Sequence, residues 1–225
     1  MRSSRNDRRF SWGASVRELI LITLGIYLAF ALNNWGESRK EGKLEAFYLG
    51  NLQTDVDRNI VQLERHLRLD SSQLSGARTL DGLLAQGRRA DRDSLRNYLN
   101  SFNTNPRFRM NNYSYQSLLQ SGDYRIITSD SLRNQLDHFF LELLEGVITT
   151  ESYYLNRLDE HYYPVKESVY VARSDEFINI DRLFDPVFKD NVYTLPAYIL
   201  QEMRHLKVTL DAAYALKDHI QQQLK

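Results

Sequence analysis

Glu202 and His205 stand three residues apart in a stretch of helical spacing, a separation that lets one helix offer a carboxylate and an imidazole to the same metal ion. A di-metal carboxylate site in a helical bundle needs a second such pair and two further carboxylates. No second Glu-x-x-His occurs in the chain, so the pair is expected on a solvated helix face. Asp159, Glu160 and His161, with Glu167 close by, have the residue types of a general base or a ligand set. Adjacent residues on a helix point in different directions, so this group reads as the polar end of a helix before Pro164. His66, His138 and His219 have no partner at a defined spacing, and zinc-protease, nucleophile-elbow and phosphate-loop patterns are absent. The chain has no cysteine and hence no thiolate metal site or disulfide. No catalysis, metal or cofactor is expected from these patterns. A hydrolase assembled from dispersed carboxylates would need a pocket where Glu, Asp and His side chains converge.

The 225 residues suffice for one ordinary domain plus an anchor, and 42% hydrophobic content supplies a core. Basic and acidic residues balance at 29 each, which argues against nucleic acid as a partner because that affinity rests on a net basic footprint. Fourteen tyrosines, with pairs at Tyr153-Tyr154 and Tyr162-Tyr163, suit either a protein interface or the edge of a core. With only four prolines and ten glycines, long helices are favoured over a many-turned β fold.

The elements that would position any site are helical. Leu44, Tyr48, Leu52, Val56, Ile60, Leu63, Leu67 and Leu74 recur every three or four residues, with one turn skipped around Asp70. This helix is expected to run on through Leu84 and stop at Gly87, with Gly76 and Gly82 as weak points. A sustained heptad is not seen. Asp93 is read as the cap of a short helix ending near Phe102, before a polar loop containing Pro106. Ser114 is read as the cap of another, closed by Ser121-Gly122, a helix-ending turn or a contact site. Ser129 or Asp130 opens a long helix that Pro164 ends, residues 165–194 look irregular, and Thr194 and Pro196 open the last helix. The fold predicted is all-α: an N-terminal transmembrane helix continuing into a bundle of three long and two or more short helices.

The uncharged run from Leu19 to Leu32 is about 14 residues, short of the roughly 20 that cross a bilayer. Its flanks extend it. Trp12 and Trp35 bracket it at roughly 34 Å, the spacing of two interfacial aromatic belts, and Arg17 can snorkel to the headgroups. Arg2, Arg5, Arg8, Arg9 and Arg17 precede the run, against Arg39, Lys40 and Lys43 just after it, so the N-terminus is expected inside. In a bacterium this gives a cytoplasmic arm at 1–16, an inner-membrane helix at 17–35 and a periplasmic domain at 36–225. A cleaved signal peptide, with Ala29-Phe30-Ala31 before the cut, and a buried core helix of a soluble protein are the alternatives.

Two segments carry a likeness. The first is RELILITLGIYLAFALNNWGESRKEGKLEAFYLGNLQTDV, with Glu18, Gly25, Ile26, Ala29, Asn33, Asn34, Trp35 and Glu37, then Leu49, Asn51, Leu52 and Asp55. The second is YQSLLQSGDYRIITSDSLRNQLDHFF, with Leu118, Ser121, Gly122, Ile127, Leu132, Arg133 and Leu136. Together they resemble an uncharacterised family of single-pass, membrane-anchored proteins common in Bacteroidetes and related bacteria. Arg17 and Gly36 depart from that family's glycine and asparagine. The resemblance implies an inner-membrane anchor and a helical periplasmic domain, and brings no activity.

The expectation is therefore a membrane-anchored helical scaffold or protein-interaction module of the bacterial envelope. Its partners would be the lipid bilayer and a protein partner or a second copy. A periplasmic ligand-sensing bundle acting through a partner is the alternative.

Overall fold

The computed structural model describes the backbone of residues 12–225 and the side chains of residues 16–225. The basic residues Arg2, Arg5, Arg8 and Arg9 and the Trp12 side chain lie outside that description. The fold is all-α, 84% helical and 2% strand. Two compact units divide at Phe47, Met1–Phe47 and Tyr48–Lys225, and the first helix, α1 (Trp12–Ala85), contributes to both.

In the first unit the stretch of α1 from Leu19 to Leu32 is apolar on every face. Leu19, Ile20, Leu21, Ile22, Ile26, Leu28, Phe30 and Leu32 are all more than half exposed, and none of its apolar window is buried. A helix apolar all round needs a surrounding that is also apolar, and this one is long and apolar enough to cross a membrane. The Thr23 hydroxyl donates to the Leu19 carbonyl at 2.8 Å, which satisfies one of the two side-chain hydroxyls within the run. Arg39 lies over the Trp35 ring at 5.4 Å, at the polar end of the segment.

The second unit is built on three rods. The first is the remainder of α1, whose buried positions include the seam Leu49, Leu52, Val56, Asn59, Leu63, His66, Asp70, Gln73, Ala77, Leu80 and Leu84, with Asp55, Ile60, Gly76 and Leu83 buried beside it. Spacing along the seam alternates strictly between three and four, which lets helices pack along their length. The turn that looks skipped around Asp70 is part of this seam, filled with polar residues.

The second rod joins α4 (Asp130–Asp137), a π segment (His138–Leu143), α5 (Leu144–Arg157), a second π segment (Leu158–Tyr162) and α6 (Tyr163–Val169). Pro164 does not end this rod, contrary to the sequence reading. The π turn resets the hydrogen-bond frame, so the proline falls in the first turn of α6, where its missing N–H has no partner to lose.

The third rod is α7 (Pro186–Gln223), with buried Phe188, Val192, Leu195, Ile199, Glu202, Leu206, Thr209, Ala213, Leu216 and Ile220, again alternating four and three. It starts eight residues earlier than Thr194, with Pro186 at its head and Pro196 inside it. The seam on both sides of Pro196 holds the helix through the lost hydrogen bond.

Short elements close the unit. Asp91, not Asp93, caps α2 (Arg92–Leu99), accepting from the Ser94 amide at 3.3 Å, while Asp93 sits in the first turn and pairs with Arg96. Asn112, not Ser114, precedes α3 (Tyr113–Ser121) without a side-chain cap, and the Ser114 amide instead donates to Asp55 of α1 at 2.7 Å. Gly122 ends α3 in the left-handed conformation at φ 78°. Within the region expected to be irregular, α6 is followed by a two-residue hairpin, β1 (Tyr170–Val171) and β2 (Glu176–Phe177), pairing Tyr170 with Phe177. A 3-10 turn, Ile180–Phe184, leads into α7.

Two apolar clusters fill the unit. One gathers Leu49 to Leu63 of α1, Leu132 to Val147 of the second rod and Leu206 to Ile220 of α7. The other gathers Ala77 to Leu84, Tyr154 to Val169 and Phe188 to Ile199, with Leu95, Leu99 and Phe102. Cluster membership along each rod shows α1 and the second rod running parallel, with α7 antiparallel to both.

Candidate functional site: a polar layer between two cores

Between the two clusters, each rod places polar residues on its seam. α1 supplies His66, Asp70 and Gln73, at spacings of four and three on one face; α5 supplies Glu151; α7 supplies Glu202. All five are buried, with Asp70 and Glu202 each 3% exposed. Burying several carboxylates in one layer is costly unless each is paired or bound.

The extended segment from residue 104 to 112 accounts for much of the neighbouring polarity. It runs beside α1, whose side chains act as a hydrogen-bonding edge. Asn59 donates to the Asn111 carbonyl at 2.7 Å and accepts from the Asn111 amide at 2.9 Å. Gln62 makes the same two-way pair with Arg109, at 2.6 and 3.2 Å. Gln73 donates to the Thr104 carbonyl and to Asn105, and accepts from the Tyr154 hydroxyl at 3.0 Å. The Phe108 amide donates to Glu151 Oε1 at 2.7 Å, which ties the segment to the layer itself.

Two atoms are left over. Asp70 Oδ2 and Glu202 Oε2 are buried and make no hydrogen bond within the protein. Both residues line a cavity of about 10 Å³, room for about one water or one ion, together with His66, Gln73, Glu151 and Tyr154 among others. Ligand atoms of His66, Glu151 and Glu202 all lie within 4.8 Å of one another, and His66 Nδ1 is 3.8 Å from Glu151 Oε1. Among the described residues no Lys or Arg forms an ion pair with Asp70, Glu151 or Glu202.

The electrostatics follow from burial and crowding. Burial, with Glu151 nearby, pushes the Asp70 carboxyl up to about 7. Burial, with Asp70 and Glu151, pushes Glu202 up to about 9. Glu151 is raised by burial, against the Phe108 amide and Arg107, which favour its charged form. Burial and then Arg65 hold His66 below its ordinary value, which favours the neutral ring that can serve as a ligand. The layer can therefore either retain protons on its carboxyls or hold a cation among them.

The sequence-derived candidates fall elsewhere, with two exceptions, Glu202 and His66. Glu202 is buried and not on the solvated face expected of it, while His205 is exposed, so that pair divides between the layer and the surface. His66, read as having no partner, faces Glu151. Asp159 and Glu160 are exposed and do not converge with Glu167. Tyr153 is exposed whereas Tyr154 and Tyr162 are core. Trp35 is 63% exposed and Arg17 is exposed, both in the first unit. Ser121 is exposed at the end of α3, donating to the Leu118 carbonyl and accepting from the Asp123 amide. The signal missed in the sequence was the unbroken three-four spacing that carries polar residues through His66, Asp70 and Gln73.

Searches of curated proteins and of solved structures find no match to the chain. A family model described as a family of unknown function (DUF6090) matches residues 18–167, from the apolar segment of α1 through His66, Asp70 and Glu151. Since that match covers two thirds of the sequence, the chain belongs to this family of unknown function.

Proposed function

We propose that the chain is a single-pass, membrane-anchored helical scaffold or interaction module of the bacterial envelope that binds another envelope protein or a second copy of itself, without catalysis. The observation that carries the anchor is the apolar window of α1, none of which is buried, with the Arg-rich arm before it in the sequence. Exposed Val61, Tyr113, Val187 and Tyr193 on the second unit supply the aromatic and apolar area that protein contacts use. The buried layer is where Glu, Asp and His side chains converge, but a cavity of about 10 Å³ admits neither a substrate nor an organic ligand, which needs roughly 300 Å³ or more. That size disfavours both the hydrolase and the ligand-sensing readings at this place.

Alkaline carbonate extraction combined with intact mass is the test. The full-length mass in the carbonate-resistant membrane fraction is expected. Release into the soluble fraction, or a mass beginning after Ala31, contradicts anchorage. Cross-linking in intact cells is expected to give a discrete higher-mass species, and monomer alone contradicts the interaction role.

A further inference from the structure

We propose that His66, Asp70, Glu151 and Glu202 form a binding site for one divalent first-row transition-metal ion, of the zinc, manganese or iron(II) class. The inference goes beyond the membrane-anchored reading and does not depend on it. Three rods and two apolar clusters bring these groups together at one level of the bundle. Asn59 and Gln62 are fully engaged by the segment 104–112, and Gln73 by that segment and the Tyr154 hydroxyl, whereas Asp70 Oδ2 and Glu202 Oε2 make no hydrogen bond within the protein. Each belongs to a side chain 97% removed from solvent. Protonation removes charge from these carboxyls yet leaves those oxygens without a partner. A cation answers both needs at once, and among the described residues no arginine or lysine forms an ion pair with these carboxyls.

The ligand types select the ion. One neutral imidazole with three carboxylates is a borderline donor set, suited to zinc, manganese or iron and short of the six to eight oxygens calcium prefers. A tetrahedral ion with ligands at about 2.1 Å sets donor atoms about 3.4 Å apart. His66 Nδ1 and Glu151 Oε1 are already at 3.8 Å, ligand atoms of His66, Glu151 and Glu202 all lie within 4.8 Å of one another, and Asp70 lines the same cavity. The Phe108 amide on Glu151 is the kind of supporting hydrogen bond that orients a metal-bound carboxylate.

The test uses the full-length chain in detergent, unfolded in chelator and refolded with Zn²⁺, Mn²⁺ or Ca²⁺, with metal content measured after gel filtration. About one Zn²⁺ or Mn²⁺ per chain is expected, with a higher Tm than in chelator and little retention of Ca²⁺. Glu202→Gln, close in shape to the protonated acid, is expected to fold and to bind at least about 100-fold more weakly, since losing even a supporting group costs 10–100-fold. If that variant does not fold, Co²⁺ loading of the wild type serves instead, with visible absorption bands of a nitrogen and oxygen site expected. Substoichiometric metal, binding unchanged by Glu202→Gln, absence of the Co²⁺ bands, or preference for Ca²⁺ would overturn the proposal and leave protonated carboxyls around a water.

Discussion

Asn59 shows at the scale of one residue how this fold spends polarity inside its core. Its side chain is fully buried and makes a two-way hydrogen-bonded pair with the Asn111 backbone, in place of the apolar contact its seam position would otherwise provide. Asn59→Leu leaves the Asn111 amide and carbonyl unpaired and is expected to cost about 2–4 kcal/mol, read from urea unfolding with unchanged slope. Loss below about 0.5 kcal/mol would mean that the segment is not held there. The carboxylates behave differently. Asp70 rises from 3.8 to about 7 and Glu202 from 4.5 to about 9, so the folded chain keeps protons that the unfolded chain has released. In chelator, the contribution of these groups to stability is therefore full only below their ordinary values of 3.8 and 4.5, and it falls as pH rises from there through about 7 for Asp70 and about 9 for Glu202. His66, held low, acts in the opposite sense and only below its ordinary 6.5. Glu151, Tyr154 and Arg107 also bear on the layer, and the net alkaline fall is expected to shrink in Glu202→Gln. A flat profile from pH 6 to 9 in the wild type would contradict the burial of these groups as acids.

Elements are where the sequence was most and least legible. Gly76 lies in the middle of α1, where glycine ordinarily costs up to about 1 kcal/mol relative to alanine. Here a Cβ would lie 2.7 Å from Ser101 Oγ and 2.9 Å from Ser101 Cβ, so the glycine admits the turn after α2 against the helix. Gly76→Ala is expected to lower Tm, and a rise of the kind a free helix would show would refute that close approach. Pro196→Ala restores the amide that Pro196 withholds from the Val192 carbonyl, and is expected to stabilise by about 1–2 kcal/mol after the added freedom of the unfolded chain. The same proline explains a misplaced boundary: local chemistry favours it at a helix start, and ten seam residues override that preference. Pro164 misled for a related reason, because a π turn cannot be read from apolar spacing. α1 was legible through its leucines, and its polar seam was not, because hydrophobic periodicity discounts a buried Asp or His. Ser114 looked like a cap, yet the acceptor of its amide, Asp55, lies 59 positions away on another helix. The candidate layer was the least legible of all: its residues come from three rods and share no motif.

For the whole molecule, the sequence and structure describe two units of opposite character. One presents leucine, isoleucine and phenylalanine on every face; the other encloses its apolar residues in two clusters and keeps an ionisable layer between them. The apolar segment is long enough to cross a membrane, which supports the proposed anchorage. The chain has no native cysteine, so single cysteines report topology without background. Ser4→Cys and Ser38→Cys lie on either side of the apolar run. In intact spheroplasts, a membrane-impermeant maleimide is expected to label Ser38→Cys fully and to label Ser4→Cys only after the membrane is opened. Equal labelling of both without opening the membrane, or labelling in the reverse order, would contradict the account.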